Sequence, residues 1–150
     1  MDSKIVSGYA IKWFSISTHL RDKNTGDNFV EQFSVRAFSN DRFNHVRALV
    51  DHDSTKQVGS TNDGNLKIWA DSIGLRYSLN LNDDYISRRL WVEVLSGNVT
   101  GISIGFNLQD CVTNNSNSIR LVTSAILNEI SIIIAPKQPA YSDTTLQVCR

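Results

Sequence analysis

Three residues stand out for their chemistry. Ser103 lies in the run Gly101-Ile102-Ser103-Ile104-Gly105-Phe106. Ile102, Ile104, Phe106 and Leu108 alternate, which puts them on one apolar, inward face of a strand. Ser103 then points to the other face. The glycines on either side of it remove side-chain bulk, so another backbone can approach. A nucleophilic hydroxyl needs that access. It also needs a base to take its proton and a partner to orient the base. His52 ends the apolar run Leu49-Val50-Asp51-His52-Asp53, a strand end beside a loop that suits a site. Glu129 interrupts Ala125-Ile126-Leu127-Asn128-Glu129-Ile130-Ser131-Ile132-Ile133-Ile134, where a carboxylate is costly unless paired or hydrogen-bonded.

Each residue also has a plainer reading. Ser103 can sit in a Gly-rich strand packed on a neighbour, and His52 can be a solvated loop residue. Glu129 can face water, since Ile130, Ile132 and Ile134 have the opposite parity. Read together, they give a serine nucleophile, a histidine base and a carboxylate that accepts a hydrogen bond from the imidazole and stabilises its charged form.

The literal Gly-x-Ser-x-Gly match to the nucleophile elbow of α/β-hydrolases fails on order. Those chains run Ser, acid, His, whereas His19, His45 and His52 all precede Ser103. The order His, Asp, Ser is available on paper with Asp71 or Asp83, but nothing around either aspartate supports it. His45 and His19 read as surface residues. Asp51, His52 and Asp53 lack the second histidine or cysteine cluster that a metal site requires. No glycine loop for phosphate is present. Neither a metal nor a cofactor is expected.

The elements that must position these residues are mostly strands. Residues 5–16 are rich in Ile, Val, Tyr, Trp and Phe, and residues 28–36 alternate through Phe29, Glu31, Phe33 and Val35. Asn62-Asp63-Gly64 signals a turn. After it, Leu66, Ile68 and Ala70, then Leu75, Tyr77, Leu79 and Leu81, alternate as two antiparallel strands around Asp71-Ser72-Ile73-Gly74. Residues 100–108 and 119–134 are again strand-like, and Asn114–Ser118 reads as a polar loop. Two helices are expected. One is short, over 41–49, capped by Asn40. The other follows the N-cap Asp84, ends before Gly97, and turns Ile86, Leu90, Trp91, Val94 and Leu95 to one face. Short strands at this spacing suggest a barrel or sandwich.

At 150 residues the chain reads as a single domain, with an ordinary 41% hydrophobic and 20% charged content. Fifteen basic and fifteen acidic residues cancel. This is a poor footprint for nucleic acid or for anionic membranes. No apolar stretch is long enough for a transmembrane helix. The N-terminus does not resemble a signal peptide. Cys111 and Cys149 therefore read as reduced, and the sequons at Asn98 and Asn114 as unmodified.

Taken together, the segments resemble the caudovirus prohead serine protease family, the maturation proteases of tailed phages. The resemblance runs through Ser7-Gly8-Tyr9-Ala10, Arg36-Ala37-Phe38, Val50-Asp51-His52-Asp53 with Val58-Gly59, and Asp63-Gly64-Asn65-Leu66 with Gly74-Leu75-Arg76-Tyr77. It continues through Gly101–Phe106, Leu127–Ser131 and Pro139-Ala140-Tyr141-Ser142-Asp143-Thr144. It departs at Arg36, where the family usually has Gly, and at Asp51, where it has Asn. The resemblance implies His52 as base, Ser103 as nucleophile and Glu129 as third member. It implies a mainly β fold with a few helices: a closed β-barrel flanked by helices, similar to herpesvirus assemblins. It also implies a homodimer that works inside the prohead after synthesis in the host cytoplasm. The implied substrates are scaffold protein, the scaffolding segment of the major capsid protein, and the protease itself. The competing reading is a non-catalytic capsid assembly or scaffold protein on the same barrel.

Overall fold

Strands account for most of the chain, as its β-branched and aromatic runs demand. The computed structural model describes residues 3–114 and 118–149. In order the elements are β1 (Ile5–Lys12), β2 (Leu20–Arg21), β3 (Asn28–Phe33), β4 (Arg47–Val50), β5 (Asp53–Ser60), β6 (Leu66–Ala70), β7 (Gly74–Asn80), α1 (Tyr85–Leu95), β8 (Val99–Asn114), β9 (Ile119–Ile134) and β10 (Gln147–Cys149). Of the polar stretch Asn114–Ser118, residues 115–117 lie outside the described residues.

The spine is β9. Antiparallel β8 runs along one edge, from Val99 opposite Ile134 to Asn114 opposite Ile119. On the other edge two short parallel strands lie end to end, β3 against Val122 and its predecessors and β4 against residues 129–132. The connection between them loops outward yet still serves β9. The Ala125 amide donates to the Ala37 carbonyl at 2.8 Å, and the Leu127 amide donates to the Asp41 carboxylate at 2.7 Å. The Asp41 side chain thus fills the gap where a strand carbonyl would stand.

The same demand explains why residues 41–49 are not the expected helix. Ala48 is wholly buried and Leu49 and Val50 nearly so, and Arg47–Val50 is drawn into the β9 ladder. Phe43 has a positive φ of 53°, which no helix tolerates, with its amide bonded to Asp41. Tertiary pairing outweighs the local helical pattern here.

The second sheet has the order β10-β1-β7-β6. Its β6–β7 hairpin matches the alternation in sequence, with Leu66 opposite Leu79 and Ala70 opposite Leu75. The Asp71 carboxylate accepts the Ile73 and Gly74 amides and fixes that turn.

Among the described residues the ladders form two sheets and do not close into the expected barrel. Side chains bridge the seams instead. Asn65 accepts from the Ser60 amide and donates to the Val58 and Asn80 carbonyls, linking β5 to β7. On the other side residues 141–146 lie between β1 and β8. The Thr144 hydroxyl accepts the Ile102 amide, and the Thr145 hydroxyl accepts the Tyr9 amide. This segment is anchored by Tyr141, whose hydroxyl donates to the buried carboxylate of Glu31 at 2.8 Å. Burial pushes the Glu31 carboxyl above its ordinary value, and the Tyr141 bond partly offsets that rise. The core between the sheets holds Phe33, Tyr77, Leu75, Leu79, Ile102, Ile130 and Ile132.

The one helix among the described residues is α1, which packs onto the core through Leu90 and Val94. Leu95, expected on that face, is 53% exposed. Asp84 caps it through the Ser87 amide at 2.8 Å. At the other end the Gly97 amide bonds the Val94 carbonyl and the Asn98 amide the Glu93 carbonyl, with Gly97 at φ 75°. That is a Schellman closure, and it needs a residue content in the left-handed region.

Asp84→Ala and Gly97→Ala should each destabilise the domain by about 1 kcal/mol. Thermal melts should show Tm falling by roughly 2–4 °C in either variant.

Candidate active site

The site is built where the β4–β5 hairpin folds over β9. Val50 pairs with Asp53, so Asp51 and His52 form a two-residue turn. Both have positive φ, 53° and 59°, as a type I′ turn requires. Asp and His visit this region more readily than most residues, yet each such residue stores about 1–3 kcal/mol of strain. The sheet holds the turn in place. The Asp51 amide donates to the Ile132 carbonyl at 3.1 Å, and the Ile134 amide donates to the Asp51 carboxylate at 2.9 Å. The His52 amide donates to the Ser131 hydroxyl at 3.0 Å. Asp51 also pairs with Lys137, 3.6 Å away. His52 is therefore the second residue of a tight, pinned hairpin rather than part of a free loop.

The His52 Nδ1 lies 3.2 Å from Glu129 Oε1. Glu129 is on the face of β9 opposite Ile130 and Ile132, as its parity requires, but it is only 20% exposed. Its side chain lies across Gly105 on β8. A Cβ at that glycine would stand 2.6 Å from Glu129 Cγ and 2.8 Å from Oε1. Its second oxygen accepts from the Ser131 hydroxyl at 2.7 Å. Burial alone would raise the Glu129 carboxyl, but the hydrogen bonds from His52 and Ser131, with the His52 and Arg47 charges, hold it below its ordinary value. The bond to Glu129 holds the His52 imidazole above its ordinary value. Partial burial works against this, the Glu129 and Asp51 charges reinforce it, and Lys137 opposes it.

Ser103 stands on β8 directly opposite Ser131, and Gly105 opposite Glu129. Cross-strand partners share a face of the sheet. Ser103, Ser131 and Glu129 are therefore side by side, away from Ile102, Ile104, Ile130 and Ile132. Ser131 is wholly buried and its hydroxyl is committed to two bonds. Ser103 is half-buried, and its hydroxyl makes no hydrogen bond to another described residue. The two flanking glycines have distinct neighbours. Gly105 lies under Glu129, whereas a Cβ on Gly101 would meet Pro139 at 2.6 Å and Thr144 at 2.7 Å.

The other histidines are elsewhere. His45 contacts Asn62 at 3.3 Å on the exposed surface, and His19 is exposed. Asp71 receives the Tyr9 hydroxyl at 2.6 Å in the other sheet, and Asp83 faces Lys4. Among the described residues no group of His, Cys, Asp or Glu could hold a metal ion. Sequence reading did not single out Ser131. The available signal was its position two residues after Glu129, on the same face of an otherwise isoleucine-rich strand.

By NMR titration the His52 imidazole should have its midpoint above about 6.5, the ordinary value. Glu129→Gln should lower it towards that value. Gly105→Ala, which forces the Glu129 side chain off β8, should do the same while the fold survives. An unmoved midpoint in both would show that Glu129 does not hold the imidazole.

Across its whole length, residues 1–150, the chain matches the model of the family described as Caudovirus prohead serine protease. No curated protein matches it. With the match covering every residue, the chain belongs to the caudovirus prohead serine protease family and is a serine protease of phage capsid maturation.

Proposed function

We propose that this chain is an endopeptidase that cleaves scaffold protein, or the scaffolding segment of the major capsid protein, and also itself, inside the prohead. His52, Ser103 and Glu129 carry the reaction. The observation that carries this reading is the His52–Glu129 contact at 3.2 Å, on the sheet face that also bears Ser103.

Glu129 accepts from Nδ1–H and so fixes the tautomer, which leaves Nε2 to take the Ser103 proton. As Oγ attacks the scissile carbonyl, an O–C bond forms and the proton passes to His52. Glu129 stabilises the imidazolium. The C–N bond then breaks, His52 returns the proton to the leaving amine, and an acyl-enzyme remains. Water adds to the acyl carbon with His52 again as base, which releases the acid and restores Ser103. Ser131 is excluded as nucleophile by its burial and its two bonds.

Backbone amides must stabilise the oxyanion, and we assign that role to the segment 137–141. It runs against the nucleophile strand. The Thr100 hydroxyl donates to the Lys137 carbonyl at 2.7 Å, and Pro139 packs where a side chain on Gly101 would be. The Lys137 amide is spent on the Ile134 carbonyl and Pro139 has no N–H, which leaves Gln138, Ala140 and Tyr141. A homodimer belongs to the same proposal, read as a concentration-dependent mass in solution. Among the described residues no helix is long and apolar enough to cross a membrane.

Co-expression with the cognate capsid and scaffold proteins tests the reading on a gel. Wild type should shorten the substrate bands. Ser103→Ala and His52→Ala should leave them intact, and Glu129→Ala should slow cleavage by roughly 10²–10⁴-fold. Equal cleavage by Ser103→Ala would remove Ser103 from the mechanism. Normal particles without cleavage by wild type would favour the assembly-factor reading.

The base must be neutral to act. The cleavage rate should therefore rise with pH through a midpoint above about 6.5, because the His52 pKa is raised. In Glu129→Gln the rate should be lower and its midpoint should move down.

A further inference from the structure

We propose that Ser131 is a positioning residue of this site, setting both the carboxylate and the backbone of the turn that carries the imidazole. The role rests on the triad reading above. The Ser131 hydroxyl has one proton to give and gives it to Glu129 Oε2 at 2.7 Å. It accepts the His52 N–H at 3.0 Å. A single oxygen thus ties the two partners of the His52–Glu129 contact to each other by a second route, independent of the contact itself.

The surroundings make this bond difficult to replace. Ser131 is wholly buried between Ile130 and Ile132, also wholly buried, on the central strand of its sheet. A hydroxyl at such a position is costly unless its bonds are made. β-branched apolar residues suit the position better by propensity. Without the hydroxyl, His52 is the one side-chain donor left to Glu129 among the described residues, and the carboxylate is free to turn over Gly105. The His52 N–H loses its partner inside the sheet. Of the bonds that pin the strained turn, those of Asp51 to Ile132 and Ile134 remain, and the one at the histidine itself is lost.

Ser131 touches neither substrate nor reacting atoms in this scheme, so its effect passes through His52 and Glu129. Its loss should lower kcat and leave KM unchanged. Misplacement of a base by about 1 Å costs on the order of 10²-fold, so a fall of roughly 10- to 100-fold is expected. A residue needed only for folding would not move the imidazole titration of the folded protein. The other charged groups acting on this pair, Asp51 and Lys137 on His52 and Arg47 on Glu129, are untouched by the substitution.

The experiment is an NMR titration of His52 in the full chain, wild type beside Ser131→Ala, with cleavage kinetics on the scaffold or capsid substrate. The expected result is a midpoint that falls towards the ordinary histidine value, with kcat reduced and KM unchanged. Ser131→Thr, which keeps the hydroxyl, should restore both in part. Where its extra methyl disturbs the site, the Ser131→Ala titration decides. An unmoved midpoint overturns the proposal. A raised one does so too, because it would mean that Ser131 merely competes with His52 for the carboxylate. The titration needs no turnover. If wild type cleaves nothing while the midpoint falls in Ser131→Ala, the protease assignment of these residues fails and the positioning role stands. If wild type cleaves and Ser131→Ala matches it with an unmoved midpoint, the outcome is the reverse.

Discussion

A histidine in a left-handed backbone conformation has to be held there, and here β9 holds it. Two successive residues with positive φ turn β4 into β5, and neither is glycine. The hairpin keeps this shape because Ser131, Ile132 and Ile134 each contribute a hydrogen bond to it. The tight turn leaves the His52 backbone little freedom relative to the sheet, and the Glu129 contact orients the imidazole. Glu129 is placed by the same strand, two residues before Ser131, and Ser103 by the strand beside it. Accurate placement thus comes from strand geometry rather than from a flexible loop.

The turn is also tied to the segment beyond β9. The Asp51 carboxylate accepts the Ile134 amide and pairs with Lys137. An asparagine, the usual residue of the family at this point, could make the first bond but not the ion pair. Arg36, the other departure from the family pattern, needs no glycine freedom, since it is not among the residues with positive φ. Lys137 opens the segment that also packs on Gly101 and reaches Ile102 through Thr144. The proposed base, the strand of the proposed nucleophile and the candidate oxyanion loop are therefore mechanically connected through a few side chains.

Much of this was legible in the sequence where one local rule decided the outcome. Period-two alternation gave β6, β7 and the first half of β8, strand-like composition gave β9, and Asp84 with Gly97 bracketed α1. The opposite parity of Glu129 and Ile130 correctly put them on different faces. It did not reveal that Glu129 would lie down on Gly105 rather than extend into water, since that depends on the register between two strands. The segment 41–49 misled because a cap such as Asn40 is a local signal, whereas the pull of β9 on Arg47–Val50 comes from residues about eighty positions away. Leu95 misled because the buried face of α1 runs through Ser87, Leu90 and Val94, and Leu95 falls beyond its edge. The closed barrel was an expectation about how sheets meet. Bridging by Asn65 and by Thr144 and Thr145 leaves no trace in hydrophobic patterning. Ser131 was hidden because its value lies in Glu129 on its own strand and in His52 on the β4–β5 turn, which no local pattern links to it.

The Asp41 carboxylate at the Leu127 amide has a consequence for solubility. The isoleucine-rich stretch 125–134 is the part of this chain best suited to stacking against copies of itself. Self-templating requires an accessible strand border. One border of β9 is covered by β8, and the other by β3, β4 and the connection between them, with Asp41 and Ala37 taking amides in the interval. A charged side chain in that interval is a poor guide for an incoming strand. The loop over residues 34–46 thus works as a gatekeeper that keeps the most aggregation-prone strand of the enzyme monogamous.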